Sequence, residues 1–294
     1  MKKILITGAN SYIGTSFEHY MAQWPEEYQV DTVDMVDGSW REKIFADYDS
    51  VFHVAGIAHQ DSGKITEERK QLYFKVNTEL TVETAKKAKA GGVKQFIFMS
   101  SIIVYGAGAM LGETKMISKD TKPAPAGAYG RSKLKAEEGI QSLNDDSFCV
   151  CVLRPPMIYG PGCKGNYPLI AKAAMKLPFF PDIRNERSML FIGNLCGYVK
   201  AMVDDTLSGL YFPQNSEYVS TSEMVRQIAL AHNKNIRLTK VFNPLLRLLS
   251  SKASIVDKVF GNLVYERSAS IMDSATSRFT LEESIRITEG SGPA

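Results

Sequence analysis

Short apolar runs alternate with amphipathic stretches over the first half of the chain. Ile4-Leu5-Ile6, Val30-Asp31-Thr32-Val33, Val51-Phe52-His53-Val54, Phe96-Ile97-Phe98-Met99 and the run from Phe148 to Leu153 each have the length and the β-branched or aromatic content of a strand. Between them, residues 12–23, 79–90 and 129–143 carry helical patterns. Strands that recur with helices between them form a parallel sheet covered on both faces. The predicted fold class is therefore α/β, a Rossmann-type doubly wound parallel sheet over residues 1–158, to which 188–208 can return. Seventeen residues separate Asp34 from Phe52, where a full strand-helix unit takes about 30, so one strand or crossover there is predicted to be abbreviated. Beyond Pro155-Pro156, Gly160-Pro161-Gly162 and Pro178-Phe179-Phe180-Pro181 break the alternation. Residues 159–294 are expected to form mainly a smaller, substrate-side lobe, ending in a frayed tail from Gly290.

The first apolar run leads directly into Gly8-Ala9-Asn10-Ser11-Tyr12-Ile13-Gly14. A strand that turns through glycine into a helix N-terminus presents backbone N–H groups and a favourable dipole to a dinucleotide pyrophosphate. Ser11 stands where a third glycine is expected, and its Cβ is expected to crowd that approach. Asp34 lies twenty residues after Gly14, at the place where an acid accepts from both adenosine-ribose hydroxyls and repels a 2′-phosphate. NAD is thus favoured over NADP; Asp31 competes if the register slips, and Arg41 can still approach a phosphate.

At the far side of the presumed sheet, Ser100-Ser101 closes the strand Phe96–Met99, at the carboxyl edge where open α/β sheets bind ligands. Tyr129 and Lys133 stand four residues apart and share a helix face. An ammonium at that distance is expected to favour the phenolate and make Tyr129 a general base.

Composition narrows the picture further. A net charge of +3 with dispersed basic residues does not suggest nucleic-acid binding. Four cysteines without a CxxC pair and four scattered histidines give no metal-ligand spacing, and the thiols are expected to be reduced. No apolar run reaches the roughly 18 residues of a membrane span, and a cytoplasmic protein is expected. The leucine-rich stretch from Pro244 to Phe260 reads as a helix packed on the second lobe or, alternatively, as a segment lying on a membrane.

TGANSYIG, Val51-Phe52-His53-Val54-Ala55-Gly56, SSIIVYG, YGRSK and Leu153-Arg154-Pro155-Pro156-Met157-Ile158-Tyr159-Gly160 occur in the order and approximate spacing of one family. The chain resembles the extended short-chain dehydrogenase/reductases, within the NAD-dependent nucleotide-sugar epimerase/dehydratase group. That resemblance implies Ser101, Tyr129 and Lys133 as the catalytic set, with Ser100 the ordinary strand-end hydroxyl. It implies cofactor contacts from Gly8, Asn10, Ser11, Tyr12, Ile13, Gly14, Asp34, Ala55, Gly56, Asn77, Tyr129, Lys133 and Pro156. A helix N-cap is the alternative role for Asn77. For the substrate it implies Ser101, Tyr129 and Arg187, the last on the diphosphate, with a surface arginine as the alternative. It also implies a homodimer, to which Leu80, Val82, Leu134 and Ile140 are candidate seam residues.

Two departures bear on the reaction. Relatives that eliminate water place an acidic pair directly after the catalytic hydroxyl, where this chain has Ile102 and Ile103; neither can move a proton. Met157 replaces an asparagine that often touches the nucleotide phosphates. The expected activity is that of an NAD-dependent nucleotide-sugar 4-epimerase of UDP-hexose type. A 4-ketoreductase is the nearest rival and a non-catalytic NAD-binding regulator the remote one. His53 reads as a sheet residue rather than a base, His59 as a loop residue, and nothing near Cys163 marks it as a nucleophile.

Overall fold

The computed structural model describes residues 1–57, 65–250, 254–270 and 278–291; His59 and the last three tail residues lie outside them. The chain divides into two compact units: Met1–Gly106, Lys122–Pro155 and Cys196–Phe212 form unit 1, and Ala107–Thr121, Pro156–Leu195 and Pro213–Ala294 form unit 2.

Unit 1 begins β1 (Lys2–Thr7), α1 (Tyr12–Met21), β2 (Tyr28–Val33), β3 (Ser50–His53), α2 (Glu67–Tyr73), α3 (Leu80–Ala90) and β4 (Gln95–Met99). After β5 (Thr114–Ile117), which belongs to unit 2, it resumes with α4 (Ala128–Gln141) and β6 (Cys149–Leu153). Unit 2 continues with β7 (Met157–Tyr159), α5 (Tyr167–Lys176), β8 (Phe179–Pro181) and β9 (Met189–Phe191). Helix α6 (Ile192–Asp204) then leads to β10 (Gly209–Tyr211), back in unit 1. The remaining elements of unit 2 are α7 (Thr221–Ala231), β11 (Arg237–Thr239), α8 (Asn243–Ser250), α9 (Ser254–Phe260), β12 (Asn262–Tyr265) and α10 (Leu281–Thr288).

The central sheet of unit 1 has six strands in the order β10-β6-β4-β3-β1-β2, all parallel. This is the parallel α/β architecture that the alternating pattern predicts. Leu5, Val51, Phe96, Phe98, Val150 and Val152 from the sheet pack with Trp40, Ala85, Ala136 and Ile140 in one buried cluster, and burial of such side chains is the main drive to fold. Chain order reverses between β1 and β3, which therefore flank the switch point at which open α/β sheets bind ligands. The abbreviated unit is visible here: between β2 and β3 the chain makes a 3-10 turn, Ser39–Arg41, and β2 ends the sheet.

Two readings of the pattern change. Helical structure begins at Glu67 rather than Glu79, and a π-helical segment, Phe74–Glu79, joins α2 to α3. Thr66 caps the start by accepting from the Arg69 backbone N–H at 3.3 Å; the polar run Glu67–Gln71 carries no apolar period to reveal it. Ile140, offered as a seam residue, is fully buried in the core, and Leu80 and Val82 pack against that same cluster.

In unit 2, the leucine-rich stretch forms α8 and α9. Val256 and Phe260 of α9 are buried, whereas Leu245 and Leu248 of α8 are exposed. Among the described residues no helix is long and apolar enough to cross a membrane.

Candidate active site

The turn after β1 is made by Gly8 at φ +114° and Asn10 at φ +61°, a left-handed conformation that asparagine tolerates better than most residues. Ser11 is extended, with φ −74°, and its Oγ accepts from the Gly14 backbone N–H at 3.1 Å. Ser11 therefore serves as the helix N-cap of α1, a role that needs a hydroxyl and no glycine. Tyr12 and Ile13 open that helix.

This turn forms one wall of a cavity of about 700 Å³ lined by Gly8, Asn10, Ser11, Asp34, Trp40, Ala55 and Gly56, among others. Asp34 follows β2, and its Oδ1 accepts from the Val36 N–H at 2.8 Å. Asp31 accepts from the Tyr48 hydroxyl at 2.6 Å, so the competing acid is already engaged. The indole Nε1 of Trp40 is buried without a hydrogen-bond partner among the described residues. A helix N-terminus, a strand-end carboxylate and an unpaired donor on one cavity fit a dinucleotide.

The other end of the site is assembled where β4 meets α4. Ser101 caps a 3-10 turn, Ile102–Tyr105, accepting from the Ile103 N–H at 3.3 Å, and its hydroxyl is close enough to the Tyr129 phenol to favour its ionised form. Gly130 makes this meeting possible, because a Cβ there would stand 2.9 Å from the Ile103 carbonyl oxygen and 3.0 Å from Pro125. Ser100 is turned the other way and donates to Glu137. Of the two serines, Ser101 is the one that acts on Tyr129.

Lys133, one turn along α4 from Tyr129, is buried, and its ammonium donates to the Met99 carbonyl at 2.8 Å and lies 4.7 Å from the Phe98 ring centre. A Cβ on Gly56 would come within 3.2 Å of that ammonium and 3.0 Å of Asn77 Oδ1, so Lys133 and Asn77 both reach the loop after β3. Asn77 is neither an N-cap nor turned outward. Its side-chain Oδ1 accepts from Ile57 N–H at 2.9 Å, and its side-chain Nδ2 donates to the Ile57 carbonyl at 3.1 Å and to Ser132 Oγ at 3.2 Å, which ties the Gly56 loop to α4.

One expectation is corrected here. Burial pushes the Tyr129 phenol up to about 12, against the lowering effect of the Ser101 hydroxyl, and Tyr73, with its ring centre 5.8 Å away, adds to the rise. The four-residue spacing predicts a lowered phenol; Lys133 is bonded to Met99 instead, and its own ammonium is brought down to about 8 by burial, which the Glu137 carboxylate partly offsets.

Glu137 lies one further turn along α4 and is held by Arg154, the residue after β6. Arg154 Nε is 3.1 Å from both carboxylate oxygens, Nη2 is 2.5 Å from one, and Nη1 donates to the buried Tyr105 hydroxyl at 2.5 Å. The periodicity did not single out this buried network, although Glu137 repeats the Tyr129–Lys133 interval. Beneath the sheet's switch point, His53 is fully buried between Thr7, 2.7 Å from Nδ1, and Thr81, 3.0 Å from Nε2. Burial and the Lys133 charge bring its pKa down to about 3.

Arg187 and Pro156 belong to unit 2. Arg187 Nη1 donates to the carbonyls of Lys258 and Gly261, at 2.8 and 3.1 Å, at the C-terminal end of α9 where a cation is favoured.

The sequence pattern of the NAD dependent epimerase/dehydratase family matches residues 4–211. The chain belongs to this family. A UDP-glucose 4-epimerase of Vibrio cholerae is 33% identical over 291 residues, covering 89% of this chain and 86% of that protein. An N-acetyl-α-D-glucosaminyl-diphospho-ditrans,octacis-undecaprenol 4-epimerase of Escherichia coli O157:H7 is 26% identical, covering 88% and 81%. The fold is shared with a UDP-glucuronic acid 4-epimerase of Bacillus cereus, solved in complex with NAD, with a TM-score of 0.72, 16% identity and 98% of each chain covered. Family membership makes the chain an enzyme of the NAD-dependent epimerase type and NAD its cofactor.

Proposed function

We propose that the chain is a nucleotide-sugar 4-epimerase that acts on a UDP-hexose by transient oxidation at C4. The observation that carries this reading is Ser101 acting on the Tyr129 phenol one helical turn from Lys133, followed by Ile102 and Ile103 where an eliminating enzyme needs carboxyl groups. Bound NAD supplies the hydride acceptor and, in its reduced form, the donor. Gly8, Asn10, Ser11 and Gly14 with the α1 N-terminus hold its pyrophosphate, and Asp34 its adenosine ribose. Asn77 keeps the Gly56 loop in place, and Lys133 lies against that loop to meet the nicotinamide ribose.

Tyr129 removes the proton of the sugar C4 hydroxyl and returns it once the keto sugar has turned over; Ser101 orients that oxygen by hydrogen bonding. A phenol pushed up to about 12 is a proton donor at neutral pH, so work as a base requires positive charge nearby. With Lys133 held at the Met99 carbonyl, the positive ring of oxidised nicotinamide would supply it. Arg187 is assigned to the substrate diphosphate and Pro156 to the cofactor. The working form is a homodimer in the cytoplasm, and its product serves polysaccharide biosynthesis.

C4-deuterated UDP-hexose tests this directly. The C4 epimer should form with its deuterium retained and without added cofactor. A 4-keto-6-deoxy product would overturn the argument from the isoleucines, and stoichiometric consumption of reduced nicotinamide would make the chain a ketoreductase. A second reading, a sugar carried on a polyprenyl diphosphate, is favoured by the Escherichia coli relative and by exposed Leu245 and Leu248 beside Arg247 on α8. Turnover of that substrate, with none of the UDP-sugar, would select it.

A further inference from the structure

Arg41 lines the same cavity as Asp34 and Gly38. A guanidinium in that position is the natural receptor for a ribose 2′-phosphate, since its planar fork matches phosphate oxygens two at a time. Here the fork is already closed. Arg41 Nε and Nη2 each donate to a separate carboxylate oxygen of Glu83, on α3, at 2.6 Å, and this partner holds the guanidinium above its ordinary basicity. The residue is also anchored from two other sides: its Cζ lies 4.6 Å from the Trp40 ring centre, and Lys87 Nζ donates to its carbonyl at 2.7 Å. Its position at the cavity wall therefore does not depend on Glu83, whereas the direction of its fork does. Asp37, the nearest acid in sequence on the same wall, is engaged by the Ser39 N–H at 3.0 Å and hydroxyl at 2.7 Å.

We propose that Glu83 sets nucleotide choice by masking Arg41, so that discrimination against NADP rests on two carboxylates: Asp34, which repels a 2′-phosphate, and Glu83, which occupies the cation that would otherwise receive it. This rests on the assignment of the cavity to the adenosine half of NAD. Arg41 and Glu83 each remain about half exposed, at 52% and 46% of their side-chain surface, so solvent screens the pair and it adds little to stability. Replacing Glu83 on a helix surface by alanine, a strong helix former, leaves the fold intact and frees the fork.

The test is displacement of protein-bound NADH by NAD and by NADP, followed by nicotinamide fluorescence at fixed ionic strength. Glu83→Ala should tighten NADP about tenfold, the worth of one charge-assisted contact at a partly exposed site, and leave NAD within twofold. Adding Arg41→Ala to that variant should return NADP to its wild-type affinity. A gain below threefold in Glu83→Ala, or one that survives removal of Arg41, overturns the proposal. A wild type that binds NADH but prefers NADP overturns it as well, and one that binds no nicotinamide nucleotide defeats the cofactor assignment on which it stands.

Discussion

At one end of the unit 1 site, Arg41 and Glu83 meet with about half of each side chain in solvent, 52% and 46%. At the other, Arg154 and Glu137 make the same kind of pair with 7% and 8% exposed. The first pair is held in high dielectric, where the two charges are nearly as content apart as together. The second has been removed from water, and each charge depends on the other together with Ser100 and Tyr105. Identical chemistry thus has different consequences. Near Asp34 a charge can be exchanged to change what binds; near Tyr129 a charge cannot be removed without disturbing the fold around the reacting groups.

The largest expected effect tests whether Tyr129 belongs with the reaction or with that buried framework. Tyr129→Phe should lower turnover about 10²–10⁴-fold while thermal stability and retained NAD stay near wild type. Loss of fold together with activity would assign the residue to the framework. Next in size is the contrast between the pairs themselves. Glu137→Gln leaves a buried guanidinium without its counter-charge and should cost about 3–5 kcal/mol in denaturant unfolding, whereas Arg41→Ala should leave the unfolding midpoint near that of the wild type. Equal costs would erase the distinction. The smallest effect is expected at Ser11, whose hydroxyl caps α1. Ser11→Ala should cost about 1 kcal/mol and Ser11→Gly a few tenths, with NAD affinity within twofold in the glycine variant; a large gain in affinity there would mean that the serine Cβ crowds the phosphates.

What the sequence makes legible is what depends on near neighbours. The β1 turn into α1 follows from an apolar run and two glycines seven positions apart counted inclusively, and Tyr129 and Lys133 follow from helical spacing. The parallel sheet follows from repeated strand and helix lengths. The rest is set by partners remote in sequence. Glu83 closes on Arg41 from 42 positions away, and Arg154 reaches Tyr105 across 49. Lys133 shows the limit most plainly: its spacing from Tyr129 points to a charge beside the phenol, but the choice of Met99 as its partner comes from the packing of β4 against α4. Helix α2 was hidden for another reason, since Glu67–Gln71 offers no apolar stripe and the segment is recognised by its Thr66 cap.

His53 carries a consequence for the protein in acid. An unfolded histidine takes up a proton near pH 6.5, while the ring between Thr7 and Thr81 resists one until about pH 3. Between those values the unfolded chain binds a proton that the native state refuses, so this contribution to native stability is complete above about pH 6.5 and is withdrawn as the pH falls towards 3. The ring sits on the strand that leads to Gly56 and is fastened to the strand that leads to Gly8. It is an acid fuse wired into the nucleotide cradle: acidification should release bound NADH and melt the sheet as one event, seen as coincident loss of nicotinamide fluorescence and far-ultraviolet dichroism.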